Sequence, residues 1–159
     1  MRASLLASSL LACVLLFPGI EGSEEVKEAD VLTLIKLTVA MEAEGEPPMG
    51  KLAVAYVIMN RVRQWDKSVS DVIFKDYQFT CWERGSPTKM RLDDIPEWVM
   101  DDAEYAALSA FRQTQLDPTQ GATHYLNENL TRQIRGGSLP NWVWSMEKVA
   151  VIGKHTFYK

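Results

Sequence analysis

Cysteine and histidine are both scarce: two of each in 159 residues. Cys13 falls in an N-terminal apolar run that reads as a leader. Cys81 is then left alone, which excludes an intramolecular disulfide in an exported form. The core must therefore hold the domain together, and Cys81 suits a buried packing position better than a nucleophile. The histidines, His124 and His155, sit in separate predicted strands with no close ligand spacing. No metal site is expected from them. An excess of basic charge is also missing, with 17 Lys and Arg against 21 Asp and Glu, a formal charge of −4. That balance lacks the electrostatic footprint of a nucleic-acid binder. It also gives no general pull towards an anionic surface, so a polyanionic substrate has to be held by a local site. Internal repeats, low-complexity tracts and linkers are absent as well. What is present, 47% hydrophobic and 24% charged residues, is the composition of one globular domain with a packed core.

Residues 1–22 read as a secretory signal peptide. Arg2 supplies the positive start, Leu5 to Phe17 the short apolar stretch, and Pro18 and Gly19 the break before small residues at Gly22 and Ser23. The run is short for a membrane span. The alternatives are a lipoprotein modified at Cys13 and a retained N-terminal anchor. Apolar residues continue past Cys13 through Phe17, which disfavours the first. Cleavage of the leader implies an exported protein, periplasmic or extracellular, with no stable membrane insertion. Residues 23–30 are polar and form an expected mobile lead-in to a domain over 31–159.

The pattern turns helical at Val31. Val31, Leu34, Ile35, Thr38 and Met41 recur at helical spacing, and Gly45 and Pro47 stop the helix near Glu44. A second helix starts at Pro48, runs to about Arg63, and is apolar nearly all round, as a buried central helix would be. A short helix is expected over 68–74, capped by Ser68 or Ser70. An aromatic, turn-rich ordered loop follows over 77–89. A longer helix spans Pro96 to about Gln115, capped by Asp93 or Asp94. Ala122–Asn127, Lys148–Ile152 and His155–Tyr158 suit strands. Helices first and strands later indicate an α+β domain.

Met41-Glu42-Ala43-Glu44-Gly45-Glu46 puts three carboxylates at the end of an apolar helix. The negative end of a helix dipole and neighbouring like charges both disfavour ionisation of a carboxylate. A general acid for glycosidic cleavage needs a proton near neutral pH. Acidic residues at helix ends are also commonly just solvated. The carboxylates alone do not single out Glu42.

A resemblance carried by the order of motifs along the chain does. Met41 to Glu46, Gly50, Ala53-Val54-Ala55 and Asn60-Arg61-Val62 are followed by Val72-Ile73 and Gln78-Phe79-Thr80-Cys81-Trp82. Then come Gly121-Ala122-Thr123-His124-Tyr125, Pro140-Asn141-Trp142, and Ile152 to Tyr158. Taken together these blocks resemble the SleB/CwlJ cell wall hydrolase family, which includes spore cortex-lytic enzymes and phage and proteobacterial relatives. The resemblance covers nearly all of residues 31–159. It implies a lysozyme-like α+β domain, a helical N-terminal part with a small C-terminal antiparallel sheet. It implies Glu42 as the catalytic acid and peptidoglycan glycan strands as substrate, with no cofactor and a monomer as the working form. The reaction it implies is lytic transglycosylation between N-acetylmuramic acid and N-acetylglucosamine, leaving 1,6-anhydro ends. One carboxylate suffices for that, unlike the paired acids of ordinary glycosidases. A hydrolytic muramidase or glucosaminidase on the same site, and a non-catalytic wall-binding protein, are the alternatives. Met41 and Glu44 depart from the small and basic residues common at those places in the family.

Further residues are candidates for substrate binding. Glu46 can orient Glu42 or a water, or else simply sit at the positive end of the second helix. Asn60 and Arg61 can line the cleft, although Arg61 equally suits neutralisation of the acidic block. Gln78, Phe79 and Trp82 combine an amide with aromatic faces that can cover a sugar ring. His124 beside Tyr125 is expected to meet the glycan, while His155 reads as a satisfied structural histidine. Trp142, with Asn141 and Trp144, forms a second aromatic cluster that either meets substrate or closes the core.

Overall fold

The computed structural model describes residues 21–83, 85 and 92–159, with the backbone course alone for 21–26. The leader read over 1–22, including Cys13, lies essentially outside the described residues, as does part of the expected 77–89 loop.

Helix α1 spans Glu21–Glu42. It starts ten residues before Val31, so residues 23–30 form helix where a mobile lead-in was expected. Glu, Lys and Ala are good helix formers, and Glu28 pairs with Arg112 at 2.8 Å, tying this half of the helix to a neighbour. Helix α2 spans Pro48–Trp65 and is buried continuously from Gly50 to Arg61. This explains its all-round apolarity: it is the axis of the fold. It ends where Asp66 takes a left-handed conformation and caps Val62. Helix α3, Val69–Ile73, is capped by Ser68, whose side chain accepts from the Asp71 N–H. Helix α4 is Glu97–Arg112, with Pro96 at the N-cap and no side-chain cap. Asp93 and Asp94 belong instead to a 3-10 turn, Leu92–Asp94. The proline presets the first turn without them.

Three strands follow, β1 His124–Leu126, β2 Lys148–Ile152 and β3 His155–Tyr158, in the antiparallel order β1-β3-β2. A short helix α5, Glu128–Ile134, capped by Asn127, and a 3-10 segment, Asn141–Ser145, lie between them. Tyr125 pairs with Phe157 and His124 with Tyr158. Side chains alternate along a strand, so Tyr125, His155 and Phe157 share one face and His124 and Tyr158 the other. The first face packs on α2 through Ala53, Val57, Ala122 and Phe157. The second is closed by Leu139 and Val143 against Tyr158. The main core lies among α1, α2 and α4, where Ile35, Val39, Ile58 and Val99 are fully buried. Each such side chain contributes about 1.5–3 kcal/mol of burial free energy. No described helix is long and apolar enough to cross a membrane.

Candidate active site

Glu42 is the last residue of α1. The helix stops because the chain turns there, with the Glu46 N–H donating to the Ala43 carbonyl at 3.0 Å. The Glu42 side chain is half-buried. Its Oε1 accepts from the Cys81 N–H at 3.2 Å, and its Oε2 from the Tyr125 hydroxyl at 3.3 Å. Both donors are held from behind. Cys81 lies in a 3-10 turn, Thr80–Trp82, whose Trp82 indole donates to Thr38 Oγ1 at 2.8 Å, one helical turn before Glu42. Tyr125 stacks on Phe157 with centroids 5.7 Å apart and meets the His155 ring edge-on at 4.9 Å. Burial first, and then the Glu42 charge, push the Tyr125 phenol well above its ordinary range. It therefore stays a hydrogen donor to Glu42.

Arg61 supplies a buried positive charge beside this group. It is 4% exposed. Its Nε donates to the Thr123 carbonyl at 2.7 Å, and its guanidinium lies over the Trp65 and Phe79 rings at 5.2 and 5.0 Å. Burial lowers its pKa, while Tyr125 and Glu42 oppose that. Of the two roles considered for Arg61, this geometry fits neutralisation of the acidic block. Nη1 has no hydrogen-bond partner among the described residues.

Glu46 faces the β2–β3 turn. Its Oε2 accepts from the Lys154 N–H at 2.9 Å. Two glycines leave room for it: a Cβ at Gly50 would meet the Glu46 Cβ at 2.8 Å, and one at Gly153 would run into Oε2. The Glu46 carbonyl is held by the fully buried Lys51, whose Nζ lies 2.8 Å from it and 3.3 Å from Asp102. Glu46 thus latches the hairpin to the end of α1.

Two residues expected to bind substrate are committed inside the fold. Asn60 is buried, and its Nδ2 donates to Asp117 Oδ2 at 2.9 Å, the Ala122 carbonyl at 3.0 Å and Thr119 Oγ1 at 3.3 Å. Its Oδ1 accepts from Arg63 at 2.7 Å. It closes the turn before β1 and has no group left for a ligand. Phe79 is 3% exposed and lies beneath Arg61, so its face is not offered to a sugar. Gln78 is half-buried beside it. An open depression adjoins this loop, lined among others by Phe74, Tyr77, Phe79 and Trp82. Glu42 does not itself line it.

His124 and Trp142 come together, with ring centroids 5.2 Å apart. Trp142 also meets Tyr158 edge-on at 5.3 Å. His124 shares a hydrogen bond between Nδ1 and Thr123 Oγ1 at 2.9 Å. Burial, then the charges of Arg61 and Lys75, lower its pKa. This pair occupies the sheet face away from Tyr125. The two histidines therefore do not converge, and no group of three His, Cys, Asp or Glu side chains gathers as metal ligands among the described residues.

His155 was expected to be a satisfied structural histidine. It sits against Tyr125, and its Nδ1 is buried without a hydrogen-bond partner among the described residues. The signal was available in the strand alternation, which puts His155 on the face of Phe157 and Tyr125.

Comparison with known proteins gives consistent matches. A family model described as Cell Wall Hydrolase matches residues 45–158, a stretch that begins just past Glu42. The spore cortex-lytic enzyme of Halalkalibacterium halodurans is 34% identical over 128 residues, covering 79% of this chain and 34% of that protein. Its counterpart from Oceanobacillus iheyensis is 30% identical over 144 residues, covering 89% and 46%. The chain thus spans less than half the length of these relatives. Among solved structures, the catalytic domain of the Bacillus cereus SleB protein superposes with a TM-score of 0.63 at 31% identity, over 82% of this chain and 91% of that one. The catalytic domain of a germination-specific lytic transglycosylase, SleB, from Bacillus anthracis gives 0.62 at 30% identity, over 82% and 94%. With the family model covering most of its length and both structures sharing its helical part and small sheet, the chain belongs to the cell wall hydrolase family.

Proposed function

We propose that this protein degrades peptidoglycan as a lytic transglycosylase, cutting glycan strands between N-acetylmuramic acid and N-acetylglucosamine with Glu42 as its one catalytic carboxylate. The observation that carries this reading is the division of labour between Glu42 and Glu46. Glu42 is half-exposed and holds two hydrogen-bond donors, whereas the Glu46 carboxylate is engaged by the hairpin backbone. One catalytic carboxylate open to substrate suits a reaction in which the sugar supplies its own nucleophile. Glu42 gives its proton to the bridging oxygen as the C1–O bond breaks, and N-acetylglucosamine leaves with a 4-hydroxyl. The Glu42 carboxylate then takes the proton of the muramic acid 6-hydroxyl as that oxygen bonds to C1. The product is a 1,6-anhydro end, and Glu42 is again protonated. One group serves as acid and then as base because giving up a proton leaves it able to accept one.

Tyr125 is assigned the orientation of Glu42. Gln78 and Trp82, beside the depression that Phe74 and Tyr77 rim, are assigned to the glycan. His124 and Trp142 form an aromatic wall for the strand on the other sheet face. The protein acts outside the cytoplasm, as a monomer and without a cofactor. The Bacillus anthracis neighbour, a germination-specific lytic transglycosylase, supports the reaction type.

Digestion of purified peptidoglycan followed by mass analysis tests the reading. Anhydro ends are expected. Reducing ends would replace the transglycosylase with a hydrolase. Binding without cleavage would replace both. The Glu42→Gln variant, shown to be folded, should lose at least about 10²–10⁴-fold in rate, the usual worth of a general acid.

A further inference from the structure

The β2–β3 hairpin is latched to the end of α1 by Glu46, and the first residue of β3 is His155. Its ring lies against the edge of Tyr125 at 4.9 Å and near Phe157 at 6.2 Å. Tyr125 in turn donates to Glu42. The chain of contacts therefore runs from Glu46 through the turn to His155, then through Tyr125 to the proposed acid. Within it, His155 Nδ1 is buried and has no hydrogen-bond partner among the described residues. A buried polar atom left unpaired is costly to the fold and calls for a reason, a role in the chemistry being one. An apolar ring would pack in the same place without that cost.

We propose that His155 is a positioning residue for Glu42, acting through Tyr125, and that the site works only while its imidazole is neutral. The inference rests on the reading of Glu42 as the acid. The charged groups facing His155 are Glu46 from the α1–α2 link, Glu42 from α1 and Lys154 from the hairpin turn, with the Tyr125 phenol from β1. Burial lowers the imidazole pKa most, the two carboxylates raise it, and Lys154 lowers it, leaving it below the ordinary histidine value. The neutral ring is then the form present at neutral pH. Protonation would place a cation beside Glu42. A second positive charge there, added to that of Arg61, further favours the ionised carboxylate, which cannot donate a proton. It would also give the ring a strong attraction for Glu46 and Glu42, pulling it off the Tyr125 edge.

The test is the pH dependence of kcat on purified peptidoglycan between about pH 4 and pH 8, where imidazole titrates. The wild-type protein is compared with His155→Phe, which keeps a ring in the aromatic cluster, and His155→Gln, which keeps a polar group. The wild-type kcat should fall on the acid side, about tenfold for one pH unit below the midpoint of a single-proton limb. Both variants should lose that limb while KM holds. His155→Phe should melt at or above the wild-type temperature, because it removes the unpaired nitrogen. A wild-type profile without an acid limb, or an unmoved limb in folded His155→Phe, overturns the proposal. Glu42→Gln is assayed in parallel. Retained lysis there overturns the reading of Glu42, whereas its loss alongside an unmoved limb overturns the role of His155 alone.

Discussion

Glu46 Oε2 occupies the space that any side chain at Gly153 would need, well inside the 3.0 Å that Cβ atoms keep from other atoms. Gly153 also has φ of +59°, a region L-residues rarely adopt. The two constraints act together at the latch between α1 and the hairpin. Gly153→Ala should therefore cost about 1–2 kcal/mol from the backbone alone, and more from displacement of Glu46. The kcat should fall with it, because the Glu46 to Lys154 hydrogen bond sets where His155 and Tyr125 stand. Thermal melts and lysis rates on the same preparation check this. A variant that melts like wild type and keeps full kcat would show the latch to be irrelevant to both.

Tyr125→Phe separates the ring from its hydroxyl. The ring keeps its stack on Phe157, so stability should change little. The donor to Glu42 Oε2 is lost. A hydrogen bond to a charged group is worth about 1.5–3 kcal/mol, and the 3.3 Å length places this one at the low end. The kcat should drop about tenfold, the factor that corresponds to about 1.4 kcal/mol, while KM holds. A KM effect with kcat intact would make Tyr125 a substrate contact instead.

Asn60 and Asp117 carry a prediction about pH. Burial pushes the Asp117 carboxyl up, but hydrogen bonds from Thr119, Asn60 and Gly121 outweigh it and hold the pKa below the ordinary aspartate value. A depressed carboxyl stabilises the fold fully above its unfolded value and loses that contribution as pH falls through the folded one. The melting temperature should thus decline on acidification below about pH 4. Asp117→Asn should melt lower than wild type at neutral pH, and the gap should close in acid. Asn60→Ala should cost about 1–3 kcal/mol by leaving buried partners unpaired, with KM unchanged. A raised KM with unchanged stability would return Asn60 to the substrate cleft.

These residues also show what could be read from the chain alone. β2 and β3 were legible to the residue because short β-branched and aromatic runs and the Gly153 turn are local signals. Helix α2 was legible because a helix buried on all sides reads as an unbroken apolar run. Helix α5 was missed: its seven residues carry no apolar stripe, and its one clue was Asn127 as a cap. The start of α1 was misplaced because Glu and Lys suit both a solvated tail and a helix, and Arg112, the partner of Glu28, lies 84 positions away. At the proposed site, Glu42 was singled out by the family resemblance that the ordered motifs carry. The fate of Asn60 and Phe79 was not, since an amide at a helix end and an aromatic in a loop look alike whether they face a cleft or a core. Pairings such as Tyr125 with Glu42, 83 residues apart, decide that, and they exist only in the folded chain.

Tyr77 tests where the glycan lies. It is 84% exposed at the rim of the depression and has φ of +61°. An aromatic residue gains nothing from that conformation: strain of this kind costs about 1–3 kcal/mol and is retained mostly where function requires it. Nor does burial account for it, because so much of the ring faces solvent. Tyr77→Gly would relieve the backbone strain, so the variant should melt at or above the wild-type temperature. If the ring covers a sugar face, KM for peptidoglycan should rise about five- to tenfold, matching the roughly 1 kcal/mol or more that an aromatic contact supplies. Tyr77→Phe should restore most of the affinity, since the face and not the hydroxyl makes the contact. A stabilised Tyr77→Gly with unchanged KM would move the strand away from this depression and towards the His124 and Trp142 wall.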